Sequence, residues 1–127
     1  MRTVAVCFGL VGVLSCSILR AQEVNATPEA APVISMLKAA RGSNTAGFKN
    51  AYSRPIREDK DQGRWENNLR EAQVNLKKLF GHYRLNDFSF TFSGDREKGK
   101  VTLFYKGKEA FPLNVIKEGK DWKVDER

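Results

Sequence analysis

Between Asp87 and Asp125 apolar and polar residues alternate with a period of two, broken by short polar stretches that contain glycine. Phe88, Phe90 and Phe92 alternate with Ser89, Thr91 and Ser93, and Val101, Leu103 and Tyr105 alternate with Thr102, Phe104 and Lys106. Phe111, Leu113 and Val115 follow, then Trp122 and Val124. A two-residue repeat places each set on one face of a strand. Gly94, Gly99, Gly107 and Gly119 fall in the breaks, where tight turns call for positive φ. Connections this short join only antiparallel neighbours, so the pattern predicts a four-stranded meander with one apolar face.

Upstream of Asp87 the period changes to that of a helix. Thr27-Pro28-Glu29 has the form of a helix start, with Thr27 as N-cap, Pro28 at the first helical position and an acid in the first turn. Val33, Ile34, Leu37 and Ala40 share a stripe, and Gly42 is the expected stop. Ser43 or Asn44 would cap a second, short helix with Phe48, Ala51 and Tyr52 on one face. Arg54-Pro55 would end it, because the residue before proline avoids the α region. Residues 56–63 form a charged connection without periodicity. In the third helix Trp65, Leu69, Ala72, Leu76 and Leu79 recur at spacings of four and three, widened by Phe80. Asp61 would cap or charge its start, Glu66 and Arg70 would pair across one turn, Lys77 and Lys78 suit its negative end, and Gly81 would cap it. Of the three helices, this one is expected to lie across the apolar face of the sheet. Helices followed by an antiparallel sheet define an α+β domain.

The first 21 residues change the picture of where such a domain works. Val4 to Leu14 is an apolar run, Arg2 supplies a cation before it, and no acid occurs before Glu23. That is the form of a secretory signal peptide. Val4 to Leu19 is shorter than the roughly 20 apolar residues a spanning helix needs. Two processing routes fit: cleavage after Ala21, or lipidation of Cys16 in the lipobox-like Val13-Leu14-Ser15-Cys16, which would anchor the chain to a membrane. The chain therefore divides into a leader (1–21), a tether (22–27) and a single domain (28–127). It is expected outside the cytoplasm: periplasmic, held to the membrane by lipid, or secreted. Cys7 and Cys16, both in the leader, are the chain's two cysteines, so the domain carries neither a disulfide nor a thiol nucleophile. Packing alone must hold it together.

The segment Ser35-Met-Leu-Lys-Ala-Ala-Arg-Gly-Ser-Asn-Thr-Ala-Gly-Phe-Lys-Asn-Ala-Tyr52 resembles the opening helical pair of nuclear-transport-factor-2-like domains. The segment Phe111-Pro-Leu-Asn-Val-Ile-Lys-Glu-Gly-Lys-Asp-Trp-Lys-Val124 is similar to the closing hairpin of the same group. Small exported bacterial members are the nearest in pattern, and the likeness covers roughly Pro32 to Asp125. It implies N-terminal helices packed on a curved four-stranded antiparallel β-sheet, in the form of a cone. It also implies a cone wall of Phe88, Phe90, Phe92 and Leu113 facing a small apolar ligand. Four strands rather than the five or six of larger members imply a smaller cone.

Enzymes of that superfamily hold a carboxylate, a histidine or a tyrosine inside the cone as acid or base. The matching positions here are His82, Tyr83 and Asp87, at the junction of the third helix and the first strand. A structural reading explains them with less: a histidine at a helix end, a packed tyrosine, and an Asn86-Asp87 turn that shifts the alternation. Trp65 and Trp122 are likewise expected in the core. The chain has no phosphate-binding glycine loop, no zinc-ligand spacing and no nucleophile elbow. No metal, no cofactor and no catalytic set are therefore expected.

Phe104 and Ile116 stand out of phase with their strands and are candidate contacts for a partner or a homodimer on the outer face of the sheet. The charge is basic, 22 Lys and Arg against 15 Asp and Glu for a net +7, which favours anionic neighbours. Nucleic acid is not among them, because stacking aromatics would be consumed by the core and the leader directs the chain out of the cytoplasm. The reading is an exported, non-enzymatic binding domain. Its expected partner is a small apolar ligand in the cone; the alternatives are a partner on the outer sheet face and a lyase or isomerase using Asp87 and His82.

Overall fold

The computed structural model describes residues 27–126. The expected leader, Cys16 and the tether up to Ala26 lie outside the described residues. A 3-10 turn at Pro28–Ala30 runs into α1 (Ala31–Arg41), followed by α2 (Thr45–Asn50), a short α3 (Arg54–Arg57), a 3-10 turn at Lys60–Gln62 and the long α4 (Trp65–Phe80). A 3-10 turn at Leu85–Asp87 then leads into β1 (Phe88–Gly94), β2 (Lys98–Tyr105), β3 (Lys108–Glu118) and β4 (Asp121–Val124). The strands form one open antiparallel sheet in the order β1-β2-β3-β4. The architecture is α+β, as the two periodicities predict.

The termini of the elements follow local chemistry. Asn44 caps α2 by accepting the Gly47 N–H at 3.0 Å, and Gly81 ends α4 at φ 67°. After α1 the left-handed residue is Ser43 (φ 53°), not Gly42. The start of α4 carries no side-chain cap; Asp59, rather than Asp61, accepts a backbone N–H, in the turn before it. Arg70 donates to Asn67 and Glu66 lies beside Arg64, in place of the expected Glu66–Arg70 pair. Pro55 sits in the first turn of α3 instead of terminating α2, because proline lacks only an N–H that the first turn leaves unbonded.

The larger correction concerns which helix covers the sheet. The turn at Pro28–Ala30 contacts both β1 and β4, and α1 lies along β4. Helix α4 packs instead on α1 and α2, and its Phe80 ring reaches the sheet at Phe88, Tyr105 and Phe111. The reason is the width of the apolar surface each helix offers. Val33, Met36, Leu37, Ala39 and Ala40 bury most of α1, whereas α4 buries only Leu69 and Leu76 and leaves Leu79 exposed.

The sheet is strongly curled around this core. Phe92 on β1 and Trp122 on β4 meet with ring centroids 5.4 Å apart, although two strands separate them in the sheet. Gly99 on β2 makes this reach feasible: a Cβ there would stand 2.6 Å from the Phe92 ring. Val101, Leu103, Val115 and Val124 are sealed on the concave side. The far edge of β4 is closed by the chain between α2 and α3. Ser53 N–H donates to the Val124 carbonyl and Val124 N–H donates to Ala51, both at 2.8 Å. Ser53 is fully buried, and its hydroxyl donates to Asp125 at 2.7 Å.

Candidate functional site

One stripe of α1, running from the exposed Ala31 and Ser35 to the buried Ala39 at the margin of the core, carries small side chains. Ala31, Ser35, Ala39 and Gly42 recur every three or four residues after Pro28 and Pro32. Small groups on this stripe leave space between α1, α2 and β4, and the result is an open cleft of about 800 Å³. Asn44, Gly47 and Asn50 form its α2 wall, and Lys120 to Lys123 form its β4 wall. Its lining is mixed: the largely buried Pro32, Ala39, Ala51 and Trp122 contribute apolar surface, and Lys38, Lys120 and Lys123 contribute positive charge against one carboxylate, Asp121. Lys123 is held in place, donating from Nζ to the Asn50 carbonyl at 2.7 Å. A cleft of this size with some apolar surface and a few placed charges has the character of a ligand site.

This site was legible in part. The repeat of small residues along α1 is visible in the sequence, but a small stripe reads equally well as close helix packing. Only the position of β4 turns it into a cleft.

The expected cone wall lies on the sheet itself, apart from the residues that line this cleft. Phe88, Phe90, Phe92 and Leu113 do share the concave face, by the pairing of Phe88 with Tyr105, Phe90 with Leu103, and Val101 with both Phe92 and Leu113. Phe88 is buried among Phe80, Tyr83, Phe90 and Tyr105, Phe92 packs on Trp122, and Phe90 and Leu113 are half-buried. These side chains are engaged with each other and with the helices.

His82, Tyr83 and Asp87 are not brought to one point. His82 is exposed in a smaller cleft of about 430 Å³ with Arg41, Gln73, Lys77 and Tyr83, which Asp87 does not line. The C-terminal ends of α1 and α4 meet here, where the negative ends of the helix dipoles favour the charges of Arg41 and Lys77. The Tyr83 hydroxyl donates to the Leu37 carbonyl at 3.0 Å. Burial raises its pKa, opposed by Arg41, whose guanidinium lies 5.8 Å from the ring. Asp87 belongs to the 3-10 turn before β1, and its carbonyl accepts the Lys106 N–H at 2.8 Å.

Phe104 and Ile116 share the outer face without adjoining. Phe104 is opposite Ser89 and Glu109 beside a β-bulge, and Ile116 is opposite Lys98 and Lys123. Those two rows are six positions apart along β2, at Phe104 and Lys98, roughly 20 Å at strand spacing. Both are half-buried. Near Ile116 the outer face is approached by α3, whose Arg54 N–H donates to Glu118 at 2.7 Å. Trp65 is half-buried against Phe48 and Tyr52, and Trp122 is buried.

Among the described residues no three His, Cys, Asp or Glu side chains converge as a metal site would require, and no helix is long and apolar enough to cross a membrane. No known family model matches the chain, and neither a curated protein nor a solved structure matches it.

Proposed function

We propose that this chain is an exported, non-enzymatic binding domain of the nuclear-transport-factor-2-like kind, which takes an anionic ligand with an apolar part in the cleft between α1, α2 and β4. Export follows from the leader-like first 21 residues, with either cleavage after Ala21 or lipid attachment at Cys16. The fold reading is supported by helices held inside a strongly curled four-stranded sheet. The observation that carries the choice of site is a cleft of about 800 Å³ whose lining combines apolar side chains, Trp122 among them, with three lysines and one aspartate. The concave face is a weaker candidate, because Phe88 and Phe92 already pack on the chain's own aromatic rings.

Matched amphiphiles test this. The full chain carrying Trp65→Phe leaves Trp122 as its single tryptophan and reports on the cleft. Below their micellar concentrations, laurate is expected to change its fluorescence saturably, and the equally long dodecyltrimethylammonium is not. Lys38→Ala with Lys120→Ala should weaken laurate binding about tenfold, the scale of one or two lost charge contacts. Equal binding of both amphiphiles would move the ligand to an apolar site such as the cone. A response to neither would refute the cleft reading.

A further inference from the structure

The two edges of the sheet are treated differently. The β4 edge is closed by Ala51–Ser53 and carries Lys120 and Lys123 nearby. The turn at Pro28–Ala30 lies near β1, but among the described residues it makes no backbone hydrogen bond to the strand, and β1 carries no lysine. Its seven residues, Phe-Ser-Phe-Thr-Phe-Ser-Gly, contain no charge and no proline, and the pairing with β2 runs without a bulge. Charges, proline, bulges and short length are the means by which edge strands are kept from pairing with other chains.

The direction of the main-chain groups on β1 follows from two hydrogen bonds. The Asp87 carbonyl accepts from Lys106 N–H at 2.8 Å, and Asp95 N–H donates to the Lys98 carbonyl at 3.0 Å. Both residues therefore turn their peptide groups toward β2. Peptide groups alternate sides along a strand, so those of Ser89, Thr91 and Ser93 also face β2. Those of Phe88, Phe90 and Phe92 face the open edge. Phe88 N–H is taken up by the Leu85 carbonyl in the turn before the strand, whereas among the described residues no backbone hydrogen bond reaches Phe90 or Phe92 from that side.

We propose that a second copy of this chain pairs with β1 across this edge, antiparallel and about a two-fold axis at Thr91. In that register Phe90 exchanges both hydrogen bonds with Phe92 of the second copy, and Phe92 with its Phe90. The half-buried Phe90 and Phe92 rings then meet as cross-strand pairs on the concave side. On the outer side Thr91 faces Thr91 and Ser89 faces Ser93, with no like charges opposed. This matters in a chain of net charge +7, for which most self-contacts would set lysine against lysine. A pairing confined to one strand buries less than a permanent interface, so the dimer is reversible and depends on concentration. It is independent of what fills the α1–α2–β4 cleft.

Sedimentation equilibrium and amide exchange on the full chain test the pairing. The wild type is expected to pass from monomer to dimer as concentration rises, and the amides of Phe90 and Phe92 to slow in step. Thr91→Lys, which sets two lysines face to face across the axis while the side chain stays exposed within one copy, should weaken the dimer at least about tenfold. Thr102→Lys is paired with Thr91 in the sheet but removed from the edge, and should dimerise as wild type. A monomer at every concentration overturns the proposal. So does loss of the dimer in both variants, which would place the interface on the outer face. So do Phe90 and Phe92 amides that are slow at every dilution, which would mean the edge is covered within one copy.

Discussion

Gly99 shows how much one missing side chain can decide. Its backbone angle lies outside the positive range that favours glycine, so conformational freedom is not its role. A Cβ there would meet the Ser93 carbonyl at 2.5 Å and the Phe92 ring at 2.6 Å. The glycine lets Phe92 cross β2 toward Trp122, and that contact ties the curl of the sheet to its core. Gly99→Ala should therefore cost about 1–3 kcal/mol, the usual range for overpacking. Denaturant unfolding of the variant measures it. Adding Phe92→Leu should recover part of the loss, since a shorter side chain frees the space; strict additivity of the two changes would refute the contact as the cause.

At the scale of elements, the β2–β3 hairpin turns on Lys106 and Gly107, with φ of 52° and 82°. Positive φ at both central residues is the type I′ arrangement, whose twist matches that of the strands, and asparagine is the preferred first residue. A lysine there carries a steric cost of about 1–2 kcal/mol. Lys106→Asn is expected to stabilise the protein by about 0.5–1 kcal/mol, seen as a higher denaturant midpoint with an unchanged slope. A midpoint that falls would mean that the contact of the Lys106 ammonium with the Tyr105 ring, 5.4 Å from its centroid, outweighs the strain.

For the molecule as a whole, Tyr52 links the helices to the closed edge of the sheet. Its ring packs on Phe48 and Trp65 at 5.3 and 5.2 Å, its hydroxyl reaches Met36 Sδ at 3.6 Å, and its backbone bridges to Val124. Burial, reinforced by the negative charge of Glu126, pushes its pKa from 10.0 up to about 12. The unfolded chain thus loses this proton near pH 10 and the folded chain near pH 12. The stabilisation from keeping the phenol neutral is complete below pH 10 and is lost as pH rises toward 12, about 3 kcal/mol in all. Tyr52→Phe should make the decline of the urea midpoint between pH 10 and 12 visibly shallower than in wild type. Identical slopes would mean that Tyr52 ionises as freely in the folded protein as in the unfolded one.

What the sequence determined by itself is the set of elements and the faces they bury. Phe88 to Val124 alternate because a strand has two sides, and Leu69, Ala72 and Leu76 recur because a helix has a stripe; both are properties of neighbouring residues. The α+β class, the meander and the buried Trp122 followed from that. Tertiary structure alone decided that α1 and not α4 lies against the sheet, that Pro55 opens a helix, and that Phe104 and Ile116 stand at opposite ends of one face. The cleft beside α1 belongs to the same category. Each depends on the distance between elements far apart in the chain, here on a curl that brings β1 to β4. That curl comes from the fit of Phe92 over Gly99 onto Trp122 and of α1 beneath them, and no periodicity along the chain encodes such a fit.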